Sequence, residues 1–298
     1  MNEKKFCYIL LLISGTGFGS VFIANKYVAI SGLPTSVYLF WFTFIGSIIT
    51  FIPVLLSKRK YRFSFTSIVH FPAAASLGML VPFGVVASIA DKIPAGVLTL
   101  AFSLGPAFTF LLSFIFRMEK FRYIKIFGLI LGFVGVCFIV IPKTSLPNPE
   151  AAPWIIFALL APIGAASNNI IVAKLRPPDV SPIFLAFYLL FSATVIMFII
   201  MTMTHGIIFF WDYGELAILG VFWATIVQVV GFIIMYIIIP RAGPVFFSQI
   251  AYVMIFSGFI WAYIFFKETP SLWIIFAIIF MVFGLIFTNS SKEKFFNF

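Results

Sequence analysis

The sequence predicts an all-α integral membrane protein: ten transmembrane helices arranged as two inverted five-helix repeats, with both termini cytoplasmic. Three observations carry this. Of 298 residues, 63% are hydrophobic and 9% charged, and the mean hydropathy is +1.18, whereas a soluble domain has roughly a quarter of its residues charged. The apolar residues run on in segments of roughly 20, the length at which a helix crosses a hydrocarbon core about 30 Å thick, and do not alternate as barrel strands do. One long pattern also occurs twice.

Charged, Pro and Gly residues bound the spans at 6–29, 35–56, 67–90, 94–116, 123–141, 153–173, 181–203, 215–238, 243–266 and 271–289. The N-terminal MNEKKFCYILLLISGTGFGS imitates a signal peptide, but apolar character resumes through VFIANKYVA, which makes an uncleaved first span. The formal charge of +10 sits in short loops, so it reads as a topology signal and not as a nucleic-acid surface. With ten alternating spans, Lys4, Lys5, Lys58, Arg59, Lys60, Arg62, Arg117, Lys120, Arg122, Lys125, Lys174, Arg176, Arg241, Lys292 and Lys294 fall on one face. Only Lys26, Lys92, Lys143 and Lys267 fall on the other. The basic face is therefore expected in the cytoplasm, with a bacterial-type inner membrane as the location. Cys7 and Cys137 both lie in apolar runs and offer neither a disulfide framework nor a CxxC site. No metal and no cofactor are expected.

The repeated pattern is PAGVLTLAFSLGPAFTFLLSFIF, RMEKFRY and IKIFGLILGFVGVCFIVI at 94–141, and GPVFFSQIAYVMIFSGFIWAYIFF, KETPS and LWIIFAIIFMVFGLIFTN at 243–289. The shift that lays Glu119 on Glu268 also lays Gly135 on Gly284, Phe110 on Phe259 and Phe116 on Phe265. A shift one residue shorter lays GFGSVFIANK (17–26) on AASNNIIVAK (165–174), with Lys26 over Lys174. The units are 1–142 and 150–290, followed by a cytoplasmic tail at 291–298. Five spans per unit is an odd number, so the second unit enters the membrane inverted, an arrangement that places a binding site near the midplane between the halves.

These residues carry a resemblance. The chain resembles the drug/metabolite transporter superfamily, specifically its ten-helix EamA type, over nearly its whole length. GTGFGSVFIANK matches the small-residue-rich first helix that ends in a basic residue; Pro106, Glu119 and Gly128, Gly132, Gly135 match the fourth helix, its acidic turn and the glycine-rich fifth helix. The second half departs from the pattern: Ile255 replaces the proline, and Ala277 and Met281 replace two glycines. The resemblance implies a cavity lined by helices 1, 3, 4, 6, 8 and 9, with 5 and 10 peripheral. Its substrates range over amino acids, drugs, nucleotides and other metabolites.

Polar groups in a span are costly unless they face the bundle interior or a wet cavity. The candidates for substrate contact are therefore Ser20, Trp41, Ser103, Asn168, Asn169, Gln228, Gln249 and Tyr252. The plainer reading of Ser, Asn and Gln is interhelical hydrogen bonding, about 0.6–2 kcal/mol each. Pro82, Pro106 and Pro162 each remove a backbone hydrogen bond within a span and are candidate kinks or gates. Lys26 and Lys174, at opposite faces, are candidate gating charges, with snorkelling to the interface as the alternative. Glu119 and Glu268 read as turn-stabilising residues beside Lys120 and Lys267. His70 and His205 sit at span edges, and no acid lies in the middle of a span.

The expectation is a carrier for a small metabolite, amino-acid-like or otherwise uncharged, zwitterionic or amphipathic, working as an exporter by alternating access, with the lipid bilayer and a small molecule as its partners. A translocator of lipid-linked or nucleotide-conjugated substrates needs a cationic pocket, for which only Lys26 and Lys174 are available. A membrane-embedded enzyme needs clustered His, Asp, Glu or Cys at one depth; no HExxH, paired intramembrane aspartates or neighbouring Ser/His pair occurs.

Overall fold

In hydrocarbon no water satisfies a free backbone group, so a chain this apolar folds into helices that close their own hydrogen bonds. The computed structural model describes residues 3–57, 65–119, 123–141, 149–178 and 180–289. The tail expected at 291–298 lies outside them, as do the loop bases Lys58, Arg59, Lys60, Arg62, Lys120, Arg122 and Lys143.

Among the described residues the α-helical elements group into ten segments, with short 3₁₀ turns at Pro149–Ala151 and Phe210–Tyr213 and no strand. We number them α1 (Glu3–Ser31), α2 (Thr35–Leu56), α3 (Phe65–Ala75, Ser76–Leu80 and Val81–Ser88), α4 (Ala95–Ile115), α5 (Tyr123–Val140), α6 (Ala152–Leu175), α7 (Pro182–Thr204), α8 (Glu215–Ala242), α9 (Pro244–Phe266) and α10 (Leu272–Asn289). Eight are long and apolar enough to cross a membrane; in α5 and α10 the apolar stretches, Ile126–Ile139 and Leu272–Gly284, are shorter. Bulky apolar side chains such as Leu12, Ile115, Ile226 and Ile260 stand exposed on the outer surface, a surface suited to lipid and unsuited to water.

Packing divides the bundle. α1 lies between α8 and α9, α4 packs on α6 and α9, and α3 packs on α6; α2 pairs with α7, and α5 with α10. The α5–α10 seam shows why glycine is used there. A Cβ on Gly135 would come within 3.0 Å of the Ala277 carbonyl oxygen, and one on Gly284 within 2.6 Å of the Gly128 carbonyl oxygen. Without a hydrophobic drive between helices in lipid, such backbone approach supplies the dispersion contacts that hold them.

Four helices of the inner group are interrupted. In α3, residues 76–80 form a π-helical turn in which the Val81 N–H reaches back to the Ser76 carbonyl, directly before Pro82. In α4, a 3₁₀ turn at Phe102–Leu104 precedes Pro106. α6 breaks at Leu159, three residues before Pro162. Each proline lacks the N–H of a regular turn, and the chain relaxes locally around it. α9 also breaks, at Gln249, without a proline. The α4 break is thus matched in the second repeat although Ile255 stands where a proline was expected, so proline is not its sole cause.

The hinges after α4 and α9 correspond as well. Arg117 and Lys267 adopt left-handed conformations, with φ of 57° and 55°. Such residues end helices and are usually glycine; here a basic residue holds the position in both repeats.

We predict that Gly284→Val lowers the thermal stability of the detergent-solubilised protein by the equivalent of about 1–3 kcal/mol, the usual cost of overpacking. Gly105→Ala, at a position with no atom within 4 Å of the added methyl, leaves it unchanged. Thermal denaturation followed by size-exclusion chromatography checks both.

Candidate membrane-transport cavity

A cavity of about 790 Å³, including the part that opens outward, lies between the two repeats. Its walls come from α1 (Phe18, Val21, Phe22, Asn25), α3 (Gly78, Pro82, Phe83, Val86), α4 (Phe102, Gly105), α6 (Ala165, Ala166, Asn168, Asn169), α8 (Phe232, Met235) and α9 (Phe247, Ser248, Ile250, Ala251, Met254). These are the six helices the resemblance implies. α2, α5, α7 and α10 contribute nothing to the lining.

The polar part of the wall is three carboxamides and one hydroxyl. Asn168 is 3% exposed; its Nδ2 donates to the Met235 Sδ at 3.3 Å, and its Oδ1 has no hydrogen-bond partner among the described residues. A buried carbonyl left in that state costs about 1–3 kcal/mol. Asn169 Nδ2 donates to Thr109 Oγ1 at 3.3 Å. Asn25 Oδ1 accepts the Tyr38 hydroxyl at 2.8 Å. The Ser248 hydroxyl turns away to the Val245 carbonyl.

The irregular backbone positions this group. Gly78 lies in the π turn of α3, and a methyl there would overlap the Asn168 carboxamide. A Cβ on Gly164 would sit 2.6 Å from the Leu77 carbonyl oxygen. α6 can therefore lie directly on the π turn, with Asn168 held between Gly78 and Met235. π turns of this kind are frequent at functional sites.

Of the residues singled out from sequence, Asn168, Asn169 and Pro82 line the cavity. The others lie elsewhere. Ser20 donates to the Gly17 carbonyl and accepts the Trp223 indole N–H at 2.8 Å, tying α1 to α8. Trp41 donates to the Ile208 carbonyl at 2.8 Å and sits among Phe209, Phe210 and Trp211 of the α7–α8 connection. Ser103 is buried in the 3₁₀ turn between two lining residues, and Gln228 is fully buried in α8, one turn from Phe232; neither side chain has a hydrogen-bond partner among the described residues. Gln249 and Tyr252 flank the α9 break, beside lining residues but outside the lining. Pro106 and Pro162 are buried at the α4 and α6 interruptions. His70, expected at a span edge, is fully buried, with its Nε2 3.2 Å from the Tyr236 hydroxyl of α8.

Sequence reasoning missed Asn25 and the ring wall. Asn25 shares a helical face with Phe18, Val21 and Phe22, at three- and four-residue spacing, but in a helix apolar on every side that spacing does not mark the face that meets the cavity. The six phenylalanines had no signal among 42.

Lys26 and Glu268 form an ion pair of 2.5 Å across the chain. The Glu268 carboxylate also accepts the backbone N–H groups of Ala95 at 3.2 Å and Gly96 at 3.1 Å, at the positive end of α4. Glu268 thus joins α1, the first turn of α4 and the α9–α10 hinge, a wider role than the local turn expected for it. The Lys26 ammonium lies 4.2 Å from the Phe266 ring centroid, and the Lys174 ammonium lies 5.0 Å from that of Phe116.

A bundle of apolar helices built twice from one unit, with a cavity between the copies, defines a polytopic membrane transporter. The EamA-like transporter family matches residues 5–141 and 152–290, and the chain belongs to that family. A solved structure, titled only as the crystal structure of a protein, is similar over 93% of this chain and 96% of its own, with 16% identity and a TM-score of 0.62; this likeness concerns the fold. No curated protein matches the sequence.

We predict that Asn168→Ala lowers solute flux in proteoliposomes about tenfold or more, whereas Gln249→Ala, outside the lining, leaves it within about twofold. Gly78→Ala, which moves Asn168, follows Asn168→Ala.

Proposed function

We propose that the protein is an alternating-access carrier that exports a small amino-acid-like or other uncharged, zwitterionic or amphipathic metabolite across a bacterial-type inner membrane, with ten spans and both termini cytoplasmic. The observation that carries this is the cavity between the repeats, walled by three helices from each. A site shared by two inverted halves becomes accessible from either face when one half rocks against the other. The described lining contains no Asp, Glu, Lys, Arg or His. That favours this reading over a translocator of nucleotide- or phosphate-bearing substrates, which requires cations at the site.

The ion pair supplies a gate. Lys26 and Glu268 stand on the face opposite the basic loops in the ten-span topology, and they draw α1, α4 and the α9–α10 hinge together. At 22% and 17% exposure the pair is sheltered enough to resist screening yet wet enough to break. Inverted symmetry gives the counterpart on the cytoplasmic face: Lys174 of α6 and Glu119 after α4. Both lysines already rest near a ring at the end of the fourth helix of a repeat, Phe266 and Phe116, and both hinges carry a left-handed basic residue. Among the described residues Lys174 has no ion-pair partner. On this reading the present conformation is the one closed by Lys26 and Glu268, and the opposite state is closed by Lys174 and Glu119.

Disulfide trapping tests the gate. Lys26→Cys combined with Glu268→Cys is expected to cross-link and stop transport until a reductant is added, and Lys174→Cys with Glu119→Cys to do the same in the alternate population. Lys26→Arg, which keeps the cation for Glu268, should retain transport that Lys26→Glu removes. Unimpaired flux through the first of these double-cysteine proteins, once fully cross-linked, contradicts the gate.

A further inference from the structure

We infer that His70 is a proton-binding site: the neutral ring latches the third helices of the two repeats together, and a proton on it releases them. The inference concerns the equilibrium of the empty protein and does not need the carrier reading.

The geometry comes first. His70 lies in the first two turns of α3, on the face of the basic loops, and is fully buried. Its Nε2 lies 3.2 Å from the hydroxyl of Tyr236 on α8, a side chain buried likewise. With the ring contact of Phe83 and Phe232, deeper from that face, this hydrogen bond ties α3 to α8. Tyr236 adjoins Met235, which lines the cavity and receives the Asn168 amide, so release of α8 moves the cavity wall. The tie stands on one face of the bundle. The shift that lays Glu119 on Glu268 lays His70 on Leu219, and the shorter shift lays it on Ile218.

A neutral imidazole suits this place and an imidazolium does not. The neutral ring has one N–H and one acceptor nitrogen; Nε2 is met by Tyr236, and Nδ1 makes no hydrogen bond among the described residues. A second proton turns both nitrogens into donors and buries a cation, which is costly without a counter-charge. The neighbouring elements supply none. α6 brings Arg176, whose like charge acts on both His70 and Tyr236, while its Lys174 is turned to Phe116. α7 brings Tyr188, stacked on the adjoining Phe71. α8 brings Tyr236, while its Arg241 turns back to the Ile237 carbonyl and Glu215 lies at its opposite end. No acid occurs in α3, α6 or α7. The Ile171 carbonyl of α6 favours charge on the ring, but it is one dipole set against full burial and a guanidinium. A protonated ring therefore needs water, which reaches it when α3 and α8 part. The proton comes from water on the basic face and returns there, and the N–H bond is the bond formed and broken.

His205→Gln leaves His70 as the single imidazole of the chain, so nitrogen NMR of histidine-labelled protein in nanodiscs reads its proton directly. Spin labels on Val69→Cys and Arg241→Cys, both exposed, read the separation of α3 and α8 in the same background with Cys137→Ser. From about pH 8 to about pH 5, across the range in which histidine titrates, the ring is expected to gain its proton as a second, longer distance grows. The ratio of the two populations should change by up to about tenfold per pH unit, the limit for one linked proton. Tyr236→Phe, which deletes the hydroxyl, should show the longer distance already at about pH 8. His70→Gln, which keeps a hydrogen-bonding side chain but does not titrate, should hold one distribution throughout. A ring that titrates while the distance stays fixed, a ring still neutral at about pH 5, or a pH response that persists in His70→Gln overturns the proposal. The first two readouts use the native imidazole, so they decide the matter even where His70→Gln fails to fold. Absence of solute exchange in a protein that keeps the pH response sinks the carrier reading alone.

Discussion

The structure depends on one constraint: inside hydrocarbon, each backbone polar group must find its partner within the protein. A regular helix meets it automatically, and α5, α7 and α10 are regular throughout their described lengths. Departures are tolerated only where protein or an enclosed cavity lies beside them. The π turn of α3, the 3₁₀ turn of α4 and the breaks of α6 and α9 all fall in helices that wall the cavity. The cavity and the irregular backbone are two aspects of one arrangement: the interruptions bend the walls apart, and the space between them accommodates the loosened turns. The consequence is concrete at Asn168, where a displaced turn of α3 with glycine at its centre allows a carboxamide to reach the cavity.

A second level of organisation is repetition. The same hinge, with a left-handed basic residue and an acid one or two positions on, ends the fourth helix of each half. Glu268 engages a lysine of the opposite repeat together with the first turn of α4, so the hinge of one half closes on the body of the other. In the gate we propose, repeating that device with inverted topology gives two closures on opposite faces. Because an ion pair and two backbone N–H groups share one carboxylate, opening it separates three elements together, which suits a two-state motion better than a graded one.

Much of the fold was legible because hydropathy and length leave few alternatives. The repeat was legible through Glu119 over Glu268 and Gly135 over Gly284, and those glycines do mark the α5–α10 seam. The site was legible only in part. Asn168 and Asn169 announced themselves as amides in an apolar span, but so did Gln228 and Ser20, and nothing in the sequence says which side of a helix faces a cavity. In a soluble protein the polar face would tell; here lipid and core are equally apolar, so the amphipathic signal vanishes. Ser20 serves Trp223, and Trp41 serves the α7–α8 connection, for reasons set by neighbours far along the chain. The partnership of Lys26 with Glu268 spans 242 residues, and local reading assigns Glu268 to its own turn instead. The α9 break at Gln249, without a proline, was invisible for the same reason: tertiary packing produces it.

The central claim is that two symmetry-related closures alternate about one cavity. Pulsed electron-spin distance measurement tests it most directly, with one label pair spanning α1 and α10 near Ile30 and Leu272, and another spanning α4 and α6 near Ile115 and Lys174, in the full-length protein in nanodiscs. The account predicts two populations in which one distance shortens as the other lengthens, with solute shifting their ratio. Two fixed distances, or distances that lengthen and shorten together, would contradict it.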